Sequence, residues 1–199
     1  MALPALGVAV ILILTSRGGN TPCKGGPLCF NKIGIWSFVV SSLLLALTAC
    51  PQISLVTDFT WFGHGQNLLR IYGFFAMIMF GAIYYILPRL IGQESLNPGR
   101  VRLHFWLGVI GVALFALPLI GGGVLQGLKL LDPSIEFLKV AKSTLMPFRL
   151  STMGELLLLV GNLIFLVNVS GVILGHYRKL GKAAYAEATA PLNPAGVKS

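Results

Sequence analysis

Four long apolar runs, from Ile33 to Val56, Ile71 to Leu87, Phe105 to Leu128 and Leu150 to Gly175, the last carrying a single charge at Glu155, govern what this chain can fold into. A hydrocarbon core about 30 Å thick needs roughly 20 residues of helix, because a helix satisfies its own backbone hydrogen bonds where no water is present. The rest of the composition agrees: 55% of the residues are hydrophobic and 11% are charged, against roughly a quarter charged in a soluble domain. The expected fold class is therefore all-α, an integral membrane helical bundle. Met1 to Ser16 is also apolar but about one turn short of a comfortable crossing, which gives four to five transmembrane helices. That segment lacks the basic start of a secretory signal peptide, which favours a retained short span or half-buried anchor.

The formal charge of +9 does not point to nucleic acid, because the basic residues are scattered singly between the apolar runs instead of forming a stripe on one face. Topology accounts for them. With all five segments across the bilayer, Arg17, Lys24, Lys32, Arg89, Arg100, Arg102, Arg178, Lys179, Lys182 and Lys198 share one side, and Lys129, Lys139, Lys142 and Arg149 the other. The richer side is cytoplasmic by the positive-inside rule. This predicts a cell inner membrane protein with a transmembrane domain over 1–176 and a cytoplasmic tail over 177–199, whose Ala, Pro and Lys content and lack of apolar periodicity predict disorder or loose attachment. Between the last two runs, Asp132 suits a helix N-cap and Pro133 a first helical position. Ile135, Leu138, Lys139, Lys142 and Leu145 then follow at helical spacing, predicting a surface amphipathic helix over Asp132 to Phe148.

Polar groups inside a membrane are expensive and need partners. Arg70 and Glu155 are each expected about one turn inside the outer ends of their spans. Either they form an ion pair, or Arg70 snorkels to the surface and Glu155 lies in the interface. Asn162 and Asn168 are suited to hydrogen bonds between helices. His64 precedes the second run in TDFTWFGHGQN; a histidine at a helix mouth can ligate heme iron, or be simply hydrogen-bonded. His104 and His176 read as interfacial anchors at the opposite ends of their spans, so His64 has no mate at its own depth. Gly73, Gly81, Gly108, Gly111, Gly121 to Gly123 and the GxxxG pair Gly171 and Gly175 permit close helix approach, within this bundle or against a partner. Cys23, Cys29 and Cys50 fit no redox or heme-attachment spacing and read as free thiols. The sequence contains no nucleophile triad, phosphate-binding loop, clustered carboxylate site or inverted repeat.

The stretch YGFFAMIMFGAIYYILPRL, Tyr72 to Leu90, resembles the ligand-bearing helix of the catalytic subunit, subunit I, of cbb3-type cytochrome c oxidases in the heme-copper oxidase superfamily. The likeness starts at about residue 57 with TDFT and GH. It continues through LHFWLGVIG (Leu103 to Gly111), GGGVLQGL (Gly121 to Leu128) and FLKVAKSTLMPFRLSTMGELLLLVGNLIFLVN (Phe137 to Asn168), and corresponds to the carboxyl-terminal helices of that longer subunit. In the family this helix begins with an HxH pair, one histidine for the high-spin heme of the oxygen site and one for the low-spin heme. Here the stretch reads GHGQNLLRIYGF. Aligned on GH, His64 keeps the first histidine and Gln66 replaces the second; aligned on YGF, Gln66 and Leu68 replace both. The family's copper-ligating histidines lie on helices without a counterpart in this sequence. The resemblance therefore implies a non-catalytic membrane subunit of a respiratory or electron-transfer complex with a structural or assembly role. Its expected partners are lipid and other membrane subunits, cytochrome-containing ones among them, and this chain is expected to bind no cofactor itself. The alternative is a heme b-binding electron-transfer subunit in which His64 and a partner chain supply the iron ligands.

Overall fold

In the computed structural model, residues 26–92 and 96–189 are described, together with residues 7, 8, 10, 11 and 14, which are helical. Whether Met1 to Ser16 spans the bilayer, and the setting of Cys23, lie outside what these residues decide. The described chain forms α1 (Pro27–Leu47), α2 (Pro51–Thr57), α3 (Phe62–Ile91), α4 (Pro98–Leu130) and α5 (Phe137–Thr189). All except the short α2 are long and apolar enough to cross a membrane. The architecture is an all-α, multi-pass membrane bundle.

Helix boundaries follow from local chemistry. The first run does not continue to Val56, because Pro51 has no N–H to donate and forces its predecessor away from the helical region; Cys50 is extended, with ψ 125°. Gly92 ends α3 in the left-handed conformation, φ 67°, which glycine adopts without steric cost. Asn97 starts α4: its side-chain oxygen accepts hydrogen bonds from the Gly99 and Arg100 amides at 3.0 and 3.4 Å, satisfying donors a helix start leaves open.

Four further expectations are corrected. The second span begins at Phe62, ahead of the apolar run, and its stretch Leu69–Ala76 is π-helical. Asp132 is not a helix cap. Its carboxylate accepts from the amide and hydroxyl of Ser134 at 2.9 and 2.6 Å, forming a local turn that competes with helix initiation. The proposed surface helix is instead the opening of α5, which runs unbroken through Pro147 and carries the expected disordered tail as helix to Thr189.

α4 is the central element: 44% of its most apolar window is buried, against 17% for α5 and 28% for α1. It packs against α5 on one side and α3 on the other, while α1 rests on α3. Glycines make this possible. A Cβ on Gly154 would strike the α4 backbone at Gly111 and Phe115, and one on Gly123 would strike the backbone of Phe62. Such close contact gains dispersion energy where lipid removes the hydrophobic incentive to associate. Gly171 and Gly175, in contrast, meet nothing within 4 Å.

Candidate functional site

The site lies where α3 begins, and its depth is fixed by α4. The uncharged stretch of α4 between Arg102 and Lys129 is about 40 Å long at 1.5 Å per residue, so it centres near Phe115 and Ala116. Gly65 packs on Ala116 and Ile120, and Met77 packs on Gly108. The start of α3 is held there by the Trp61 amide donating to Gln126 of α4 at 3.3 Å, and by the Trp61 ring lying edge-on to Phe148 of α5, centroids 4.5 Å apart.

His64 is exposed on this entry turn. Its ring lies edge-on to Trp61 at 5.9 Å and to Phe115 at 6.2 Å, and it has no hydrogen-bond partner among the described residues. Gln66 behaves in the opposite way. Its side chain is 6% exposed and turns towards α1, where its amide donates to the Ser41 carbonyl at 3.4 Å. The residue that stands in place of a ligand histidine in either alignment is therefore packed as an interhelical polar contact. The hydroxyl of Ser41 is buried there without a hydrogen-bond partner.

The π-helical stretch, Leu69–Ala76, begins between the two anchors on which those alignments disagree by two residues and contains the second of them, YGF. A π turn closes its hydrogen bond one residue later than an α turn. Two such turns absorb two residues while keeping the helix continuous, which gives a structural reason why neither register fits both ends.

Arg70 and Glu155 sit deeper than expected. Arg70 falls between Gly65 and Met77, and Glu155 adjoins Gly154, so both are level with the middle of α4. The cause is the same for each: α3 and α5 extend beyond their apolar runs, which moves one-turn-deep positions inward. The structure does not bring the two together. Asn162 accepts a 2.6 Å hydrogen bond from the Tyr72 hydroxyl, and Glu155, one heptad earlier, shares that face of α5 to within about 20°. Arg70 is two residues from Tyr72, about half a turn round α3, and so lies on the other side of that helix. The ion pair found among the described residues is Lys139 with Glu136, at 3.6 Å on the surface.

At the other end of the bundle His104 is no interfacial anchor. It is 1% exposed, hydrogen-bonded through Nδ1 to the Tyr84 hydroxyl at 3.0 Å, and ringed by Phe30, Phe80 and Phe165 with centroids 4.7–5.4 Å away. Asn168 reaches Tyr84 as well, and Asn162 bridges α3 and α5, as expected of amides between helices. Sequence reasoning missed His104 because an apolar flank reads alike whether it faces lipid or aromatic side chains.

His104 is committed to Tyr84, and Phe115, which His64 meets, is about 16 Å along α4 from it. His176 lies near the far end of the last span. The described residues contain no cluster of three or more His, Cys, Asp or Glu placed to hold a metal. Cys29 is buried and Cys50 exposed, both free. The donor set does not fit a heme-copper centre built by this chain by itself, whereas His64 is sterically open to a single ligation. A separate cavity of about 260 Å³ lies between α1, α3 and α4, lined by Ile33, Trp36, Ser37, Val40, Leu69 and Val112 among others. Its walls are apolar except at Ser37 and the Trp36 indole, so little in it would orient a polar headgroup.

The family model for cytochrome C and quinol oxidase polypeptide I matches residues 1–176. The chain belongs to that family. It is 33% identical, over 69% of its length, to a cytochrome c oxidase subunit 1 homolog from Agrobacterium tumefaciens, of which it covers 26%. To the cbb3-type cytochrome c oxidase subunit CcoN1 of Stutzerimonas stutzeri it is 26% identical over 63% of its length, covering 27% of that protein. A cytochrome c oxidase subunit 1 from Rhodobacter capsulatus is 35% identical over 43% of the chain. The chain thus spans roughly a quarter of the length of the first two, and the family match begins well ahead of residue 57, where the sequence likeness was first legible.

Proposed function

We propose that this chain is a non-catalytic membrane subunit of a respiratory or electron-transfer complex, with a structural or assembly role, in the inner membrane with its carboxyl terminus cytoplasmic. The observation that supports it most is Gln66: the residue at the family's ligand position is buried as a hydrogen-bond donor to Ser41, while the glycine-mediated packing of α3, α4 and α5 is intact. A helix that keeps its packing surface and redirects its ligand position serves association better than redox chemistry. Purification in mild detergent followed by mass spectrometry tests the reading. It should bring down other membrane subunits, cytochrome-containing ones among them. Isolation of the chain alone as a stable, active oxidoreductase would refute it.

The exposed, unbonded imidazole of His64 favours one second reading, a heme b electron-transfer subunit whose other iron ligand comes from a partner chain. A pyridine hemochrome spectrum of the purified complex, repeated with His64→Ala, separates the two. Loss of one heme equivalent on substitution selects the second reading; an unchanged heme content selects the first.

A further inference from the structure

Arg70 is a cation on a membrane-spanning helix, level with the middle of α4, and no acidic group among the described residues neutralises it. It forms no hydrogen bond or ion pair with any described residue. A guanidinium has no neutral form available to it in a protein, so it cannot escape the cost of burial as a carboxyl can, by taking up a proton. Snorkelling rescues arginines near helix ends, but Arg70 is roughly 10 Å inside the start of α3 and level with the middle of α4.

The acidic residues among the described ones leave no candidate partner. Asp58 receives the Ser54 hydroxyl, Asp132 is held by Ser134 and Glu136 by Lys139, all near the Trp61 end. Glu187 lies in the last turns of α5. Glu155 shares the depth of Arg70 but lies on the other side of α3.

We infer that Arg70 is the docking point for a transmembrane helix of a different membrane subunit, one that carries an aspartate or glutamate at mid-bilayer depth. This rests on the proposed function and names the partner's chemistry. Charge complementarity requires the carboxylate, and its depth follows from that of Arg70. A second copy of this chain fits less well. It would have to offer Glu155, and because Glu155 and Arg70 lie on different faces, such a contact would repeat head to tail and leave open ends unless it closed into a ring.

The test places a photo-activatable benzophenone side chain at Ile71, which is exposed beside Arg70, in the full chain in its own membranes. Cross-linked peptides are then identified by mass spectrometry. The expected product joins Ile71 to a transmembrane segment of another protein that contains Asp or Glu. Its yield should fall about fivefold or more with Arg70→Leu and about twofold or less with Arg70→Lys, which keeps the charge. Size-exclusion chromatography of each variant in detergent confirms that the bundle itself has folded. Cross-linking to this same chain, with yield lost in Glu155→Gln, would overturn the inference in favour of self-association. Capture of a segment lacking a carboxylate, adducts with lipid alone, or a yield indifferent to Arg70→Leu would overturn it outright. If the complex still co-purifies in those cases, the subunit reading stands and the docking point alone is wrong. If no complex forms with the unsubstituted chain, the subunit reading fails first.

Discussion

The two histidines that flank the α3–α4 contact live in opposite environments. His104 is enclosed by four aromatic rings and bonded to Tyr84, whereas His64 stands exposed with ring contacts to Trp61 and Phe115. At the His104 end the bundle closes on itself, with α1, α3, α4 and α5 all supplying aromatic residues. At the His64 end polar groups are open or diverted, and the helix carries a π-helical stretch. The proposed association with other membrane subunits would cover the open end and leave the closed one unchanged.

If the His104 end is a self-sufficient core, His104→Ala removes both packing and a hydrogen bond, and should destabilise the bundle by about 3 kcal/mol. Gly123→Val, which drives a side chain into the Phe62 backbone, should cost about 2–3 kcal/mol. Both are read from thermal or denaturant midpoints of the purified chain in detergent, and unchanged midpoints would show that neither contact forms. A smaller loss, about 1 kcal/mol, is expected for Asn162→Leu, which strips the Tyr72 hydroxyl of its acceptor. His64→Ala should shift the same midpoint by less than about 0.5 kcal/mol, as an exposed position with no hydrogen bond would. A loss as large as that of His104→Ala would erase the contrast between the two ends.

The smallest effect concerns the turn that joins α4 to α5. The Ser134 hydroxyl and amide beside Asp132 hold its carboxyl below the ordinary value of 3.8. Because the folded-state value is the depressed one, the turn's contribution is present above the unfolded-state value and fades as pH falls through the folded one. The Ser134 amide should therefore lose hydrogen-exchange protection in acid below that ordinary value, and Asp132→Asn should abolish this pH dependence. Equal protection across the range would remove the carboxylate from the turn's account.

Some of this was legible residue by residue. Apolar runs located the four crossing helices because a bilayer filters for length and hydropathy, both of which are one-dimensional. Their ends were harder to read. Phe62 to Arg70 joins α3 although it contains glycines, a histidine and an arginine, since Gly65 docks on α4 and Gln126 holds the Trp61 amide. Asp132 and Pro133 look like a helix start, but the carboxylate has a closer partner in Ser134. Asn162 could be expected to bridge helices, because an amide in lipid has few other options.

Membership of the family and the all-α class were written in the linear order of residues, since each depends on which side chains exist. Depth and facing were not. The tertiary packing put Arg70 and Glu155 at mid-membrane on different sides of one helix, turned Gln66 inward and sealed His104 from lipid. Those outcomes depend on which glycine lets which backbone approach, a property of pairs of helices that no single stretch of sequence contains.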